Sequence, residues 1–150
     1  MSAHPSVGAF WVLLILGFIV GTTSLFAPVH ELGHLEAAQG VGIEAEIVAR
    51  DRIRLARETV SVLMAAHIGV LVWMGAIAFL SVVLTRLWLG FAGLSMGLVH
   101  GEYIRGLQSS DFARVAELGV DPYGIWSLIC LSLIAVLWVL VVLLRLQARP

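Results

Sequence analysis

The sequence has little charge, no lysine and a single cysteine, and each shortage excludes a class of protein. Charged residues make up 13% of the 150 positions and hydrophobic residues 60%. An ordinary soluble domain is about 25% charged and about 45–50% apolar. The net charge of −1 gives no electrostatic basis for nucleic-acid binding. Cys130 has no second cysteine with which to form an internal disulfide.

The apolar residues lie in four long blocks, which predicts a multi-pass integral membrane protein. The first block runs over residues 7–39 and carries histidines within 17–40, and the others cover about 60–84, 87–104 and 123–144. We therefore expect an all-α membrane protein with about four transmembrane helices in one domain, residues 1–150. Pro28 is expected to disturb the first helix. Tyr123 and Trp126 are predicted to anchor the last helix at the bilayer interface.

The loop between the first two blocks, "VGIEAEIVARDRIRLARET", predicts a short strand or hairpin. Apolar and polar residues alternate near Ile43–Val48, as they do in a strand with one covered face. The same loop carries four arginines, which the positive-inside rule places in the cytoplasm. The loop after the third block, with Arg105 and Arg114, is predicted to lie on the same side. We therefore expect a cytoplasmic-membrane protein with both termini outside.

Residues 30–34 read "HELGH", which places two imidazoles one helical turn apart beside a glutamate. On a helix, His30 and His34 share one face and can bind the same Zn²⁺ ion. Glu31 can act as general base towards the water that such an ion activates. Because ionisable groups inside a membrane span are costly, three of them within five positions indicate a cation as their partner.

A catalytic zinc site has three protein ligands and a water, so a third ligand is expected elsewhere in the chain. Asp111 follows the third block at its cytoplasmic end in the expected topology, and His30 and His34 lie at the same end of the first block. Spacing and charge therefore place the three residues at one membrane depth. His100 and Glu102 are alternative sources of the third ligand.

His67 lies in the middle of the second block. Two interpretations are open for it: a hydrogen bond to a neighbouring helix, or a role in supporting a metal ligand or stabilising an oxyanion.

From about residue 17 to 140, the chain resembles the site-2 protease family of intramembrane zinc metalloproteases, and most closely a compact bacterial branch of it. "HELGHLEAAQGVGIEAEIV" is similar to that family's zinc helix and the strand after it. "SSDFARVAEL" is similar to the Leu-Asp-Gly segment, with Asp111 at the aspartate. The chain departs from the pattern at His67 and Val70, which stand at the proline and asparagine positions of the middle helix. It departs again at Phe112 and Ala113, which replace glycines.

The resemblance implies a zinc endopeptidase that cleaves a membrane-embedded protein substrate in or near a transmembrane segment. His30, His34 and Asp111 would hold the zinc, and Glu31 would be the general base. The strand near residues 43–48 would pair with the unwound substrate.

Two other functions remain as alternatives. The departures at the middle helix and after Asp111 favour a protease-like accessory or scaffold subunit of a larger membrane assembly, without peptidase activity. A b-type haem protein would use His67 and His100 as axial ligands, but it leaves the "HELGH" spacing without a purpose.

Overall fold

The computed structural model describes residues 7–84 and 87–147, which form a mostly helical protein with one small antiparallel sheet. The elements, in chain order, are α1 (Val7–Val20), a π-helical turn (Gly21–Leu25), α2 (Phe26–Gly40), β1 (Ala45–Ala49), β2 (Arg52–Leu55), α3 (Val60–Val83), α4 (Trp88–Gly101), a second π-helical turn (Glu102–Gly106), α5 (Ser110–Glu117) and α6 (Tyr123–Gln147).

Three helical segments of the described chain are long and apolar enough to cross a membrane: Trp11–Gly40, Val60–Val83 and Tyr123–Gln147. The predicted helical fold is confirmed, with three helices that are suited to cross a membrane. The predicted number of four crossings is not established by helix length, because α4 has only 14 residues.

The first apolar block forms one continuous helical segment that changes pitch at the π-helical turn. Pro28 lies just beyond that turn and has no N–H to donate to the carbonyl of Ser24, four residues earlier. Arg50, from the turn between β1 and β2, donates a hydrogen bond to that carbonyl instead. The disturbance expected at Pro28 therefore takes the form of a widened helical turn with a side-chain hydrogen bond from the hairpin.

Helices α1 and α4 pack backbone against backbone through glycines. A Cβ at Gly93 would collide with the carbonyl oxygen of Leu14, and a Cβ at Gly97 would collide with that of Phe18. Gly17 makes the reciprocal approach from α1 to the backbone of α4. Small residues allow this proximity in membrane helix bundles, so the glycine-rich block brings α4 directly against the first helix.

The strands β1 and β2 form an antiparallel hairpin in the predicted first loop, with Ile47 opposite Ile53 and a bulge before Ala49. The base of the hairpin packs on α2 through Ile43, which is buried with Ala38. Its turn reaches Ser24 through Arg50. The hairpin therefore runs back along α2, past the histidines.

Candidate metal centre

His30, His34 and Asp111 meet at one point in the structure. The Nε2 atoms of His30 and His34 each lie 3.2 Å from the same oxygen, Oδ2 of Asp111. The two histidines are buried, with 6% and 2% of their surface exposed. The fold therefore brings together the three residues that the sequence predicts as metal ligands, although α2 and α5 are far apart in the chain.

The spacing of these atoms fits a tetrahedral cation site. With zinc–ligand bonds of about 2.0–2.1 Å, neighbouring ligand atoms of a tetrahedron lie about 3.3 Å apart. The two separations of 3.2 Å correspond to such an edge. Two imidazole nitrogens and one carboxylate oxygen also form a donor set that catalytic zinc uses, with the fourth position left for water.

The hydrogen-bond partners of His34 are those expected of a metal-binding histidine. Its Nδ1 lies 2.9 Å from the carbonyl oxygen of Val62, in the first turn of α3, and must donate because a carbonyl only accepts. In the neutral imidazole, Nε2 then carries a lone pair, which faces the carboxylate oxygen of Asp111. Two lone pairs at this distance repel each other unless a proton or a cation lies between them. A histidine that binds a metal through one ring nitrogen usually donates the N–H of the other to a carbonyl or carboxylate, which fixes the orientation of its ring.

Asp111 is held in place by its neighbours on α5. Phe112 is fully buried and packs edge-on against the ring of His67, with 4.4 Å between centroids. Arg114 forms a salt bridge with Glu58, which ties α5 to the loop before α3. Phe112 therefore docks the short helix that carries the carboxylate.

The charge of Asp111 suits a cation ligand. Burial by itself raises the pKa of Asp111, but hydrogen bonds and charge from His30 and His34 outweigh it and hold that pKa below its usual value. The carboxyl group is therefore ionised at neutral pH and can act as a ligand.

Glu31 lies at the edge of the same cluster. Only 9% of it is exposed, and its carboxylate interacts electrostatically with His30, His34 and Asp111. It also interacts with Asp51, in the turn of the hairpin. The predicted general base is therefore within electrostatic range of the three candidate ligands and of the hairpin turn.

A hydrogen-bonded network of His67, Glu102 and Trp126 lies beside Asp111. The Nδ1 atom of His67 is 2.6 Å from Oε1 of Glu102, and the indole N–H of Trp126 donates to the same oxygen at 2.8 Å. His67 and Glu102 are fully buried. Gly106 makes room for the carboxylate, since a Cβ there would collide with it. His67 thus bonds to a neighbouring helical segment, as one of its two interpretations expects.

His30, His67 and Glu102 form a second group whose ligand atoms lie within 4.8 Å of one another. Nδ1 of His67 and Oε1 of Glu102 are 2.6 Å apart, closer than the edge of about 3.3 Å that separates two ligands of one zinc ion. A shared proton explains this contact better than a cation does. Glu102 is therefore engaged with His67, and Asp111 is the carboxylate that faces both histidines of the "HELGH" motif.

His100 is not brought to the cluster. Its Nδ1 lies 2.8 Å from the carbonyl of Met96 and its Nε2 accepts from the indole of Trp138 at 3.4 Å. Both ring nitrogens are thus occupied, which fits neither the alternative zinc ligand nor an axial haem ligand.

Sequence reasoning missed two contributors to this site. Trp126 was expected at the bilayer interface, but it is 7% exposed and bonds to Glu102. The backbone carbonyl of Val62 carries no side-chain signal at all. Trp126 and Glu102 are 24 positions apart, so no local sequence pattern indicates their contact. No protein-family model, curated protein or solved structure matches this chain.

Proposed function

We propose that this protein is an intramembrane zinc metalloprotease of the site-2 type, which hydrolyses peptide bonds in or near the transmembrane segment of a membrane-embedded protein. One observation carries the proposal: Nε2 of His30 and Nε2 of His34 lie at the same distance, 3.2 Å, from Oδ2 of Asp111. Both distances are close to the edge of a zinc tetrahedron, and the ligand atoms of all three residues lie within 4.8 Å of one another.

Each residue of the proposed site then has a defined role. His30, His34 and Asp111 hold the cation, and the Val62 carbonyl orients the imidazole of His34. Bound zinc would supply a Lewis acid that polarises the scissile carbonyl and lowers the pKa of water to about 7. The Glu31 carboxylate accepts the proton of the attacking water and returns it to the departing amine.

The hairpin supplies a surface for an extended substrate. A substrate helix must unwind first, because its scissile carbonyls are bonded within the helix. The residues of β1 from Glu46 to Ala49 are exposed, and Asp51 in the hairpin turn is within electrostatic range of Glu31. An unwound segment that adds to the edge of the hairpin by strand pairing would run past the general base.

Four membrane crossings are part of the proposal. The helix α4 and the π-helical turn after it form 19 consecutive helical residues, Trp88–Gly106, close to the roughly 20 that span a bilayer. The guanidinium of Arg145, near the end of α6, lies 4.3 Å from the ring centroid of Trp11, near the start of α1. An even number of crossings brings these two ends to the same face of the membrane.

The salt bridge from Arg114 to Glu58 joins the two loops predicted to be cytoplasmic. The proposed centre therefore opens towards the cytoplasmic face of the cell membrane.

The test is cleavage by purified protein in detergent with added zinc. The substrates are casein, which is already unfolded, and a synthetic single-span peptide. We expect cleavage by the wild type, none by Glu31→Gln, and wild-type cleavage by Glu36→Gln, whose carboxylate is exposed on the same helix. Zinc content should be unchanged in Glu31→Gln, since Glu31 is not a ligand. Persistent cleavage by that variant would exclude Glu31 as the base.

One observation favours the second candidate, an accessory subunit of a membrane assembly without peptidase activity. Phe112 packs against His67 beside Asp111, in the place of a glycine that the related family keeps there. If that ring occupies space that a substrate needs, the cation has a structural role. Stoichiometric zinc together with no cleavage of either substrate, even by Phe112→Gly, would favour this candidate.

A further inference from the structure

The ring of His67 has one nitrogen bonded and one directed at the proposed cation site. Its Nδ1 is bound to Glu102, whereas its Nε2 is buried and has no hydrogen-bond partner among the described residues. That Nε2 lies 3.9 Å from Oδ2 of Asp111, the oxygen that both "HELGH" histidines face. A buried polar atom without a partner is unfavourable, so its position requires an explanation.

The network behind His67 sets which nitrogen carries the proton. Oε1 of Glu102 already accepts the N–H of Trp126, and an ionised carboxylate can accept a second N–H from Nδ1 of His67. This leaves a lone pair on Nε2, and it fixes the plane of the ring at the same time. His67 therefore presents an acceptor, not a donor, towards Asp111.

A separation of 3.9 Å is too long for a direct hydrogen bond, and it suits two acceptors that share one water. Such a water donates one hydrogen to Nε2 of His67 and the other to Oδ2 of Asp111. We propose that His67 is a positioning residue, which through this shared water orients the Asp111 carboxylate for the cation.

This inference rests on the proposed metal centre but not on proteolysis. In this proposal, Glu102 and Trp126 orient His67, and His67 in turn orients the carboxylate of Asp111. The competing explanation is that His67 only fills the core and satisfies Glu102. The two explanations differ in which ring nitrogen matters: Nε2 in the proposal and Nδ1 in the alternative.

Two substitutions separate these nitrogens. In His67→Asn, the side-chain amide can lie near the place of Nδ1 and keep the bond to Glu102, while the group at Nε2 is lost. In His67→Gln, the amide reaches the place of Nε2 and can still accept from a water. The measurement is a titration of the purified full-length protein with Co²⁺ in detergent, followed by the visible absorption of the bound ion.

We expect His67→Asn to weaken Co²⁺ binding by about 10–100-fold, the usual effect of losing an outer partner of a metal ligand, and to shift the absorption bands. His67→Gln should stay closer to wild type in both respects. His100→Asn, a histidine remote from the cluster, should bind as wild type does. Unchanged affinity and spectrum in His67→Asn, or a greater loss in His67→Gln than in His67→Asn, would overturn the proposal.

Circular dichroism identifies variants that fail to fold. For these, Trp126→Phe provides the readout, because it removes only the N–H that bonds Glu102, and it should weaken Co²⁺ binding several-fold. Wild-type affinity in Trp126→Phe would then count against the proposal.

The outcomes also separate this inference from the proposed protease. Altered cobalt spectra without any cleavage would uphold the positioning role and reject the protease. Cleavage that depends on Glu31, together with unaltered spectra in His67→Asn, would support the protease and reject the positioning role of His67. Failure of the wild type to bind Co²⁺ would overturn both.

Discussion

The Nε2 atom of His34 lies 3.2 Å from Oδ2 of Asp111, although the two residues are 77 positions apart in the chain. The other nitrogen of His34 bonds to the carbonyl of Val62. One imidazole thus joins α2, α3 and α5 at a single point. Because the site exists only when these three elements are packed, cation binding is expected to stabilise the folded state.

Asp111→Asn should abolish the stabilisation of the folded state by a bound cation. We expect the variant to bind Zn²⁺ or Co²⁺ roughly 100-fold or more weakly, since loss of a ligand costs at least as much as loss of an outer partner. In the wild type, zinc at 100 times its dissociation constant should stabilise the fold by about 2.7 kcal/mol. Thermal unfolding in detergent, with zinc or with a chelator, measures both effects.

Glu117→Gln is the matched control for Asp111→Asn, because Glu117 is exposed at the far end of the same helix. It should keep the zinc response of the wild type. If zinc raised the unfolding temperature of Asp111→Asn as much as that of the wild type, Asp111 would not be a ligand.

Gly97→Ala should destabilise the bundle, because its Cβ would overlap the backbone of α1 at Phe18. Overpacking of this kind costs about 1–3 kcal/mol. Gly90→Ala, on the same helix, should cost much less, since a Cβ at Gly90 meets nothing within 4 Å. Chemical unfolding of both variants gives the difference, and equal stability would argue against the close α1–α4 packing.

Arg50 and Pro28 should be energetically coupled through the carbonyl of Ser24. Arg50→Ala removes the hydrogen bond to that carbonyl and should cost about 0.5–1.5 kcal/mol. In a Pro28→Ala background the restored backbone N–H can take its place, so the same substitution should cost less. A double-mutant cycle measured by unfolding gives the coupling energy, and additive effects would contradict this role of Arg50.

The two ends of the chain should lie on the same side of the membrane. Four crossings require this arrangement, whereas three crossings place the ends on opposite sides. Fusions of a fluorescent reporter and a periplasmic phosphatase reporter to each end would decide the number. We expect both ends to report the outside, and a reporter inserted after Leu118 to report the cytoplasm. Opposite locations for the two ends would leave α4 outside the set of crossing helices.

The sequence by itself determined the helical class, the apolar blocks (of which three form long helices), a strand or hairpin in the first loop, and the shared face of His30 and His34. These depend on short-range patterns: runs of apolar residues, alternation in a strand, and a spacing of one helical turn. Glu31 follows from the same local spacing, and all of these features can be recognised without knowing how the helices pack.

The tertiary structure alone decided which carboxylate faces the histidines, that Glu102 bonds to His67 instead, and that Trp126 is buried with them. It also decided that His100 lies elsewhere. The physical reason is that such contacts depend on how helices distant in sequence approach and rotate against each other. That approach is set by backbone contacts at glycines and by single rings such as Phe112, whose partners no local pattern reveals.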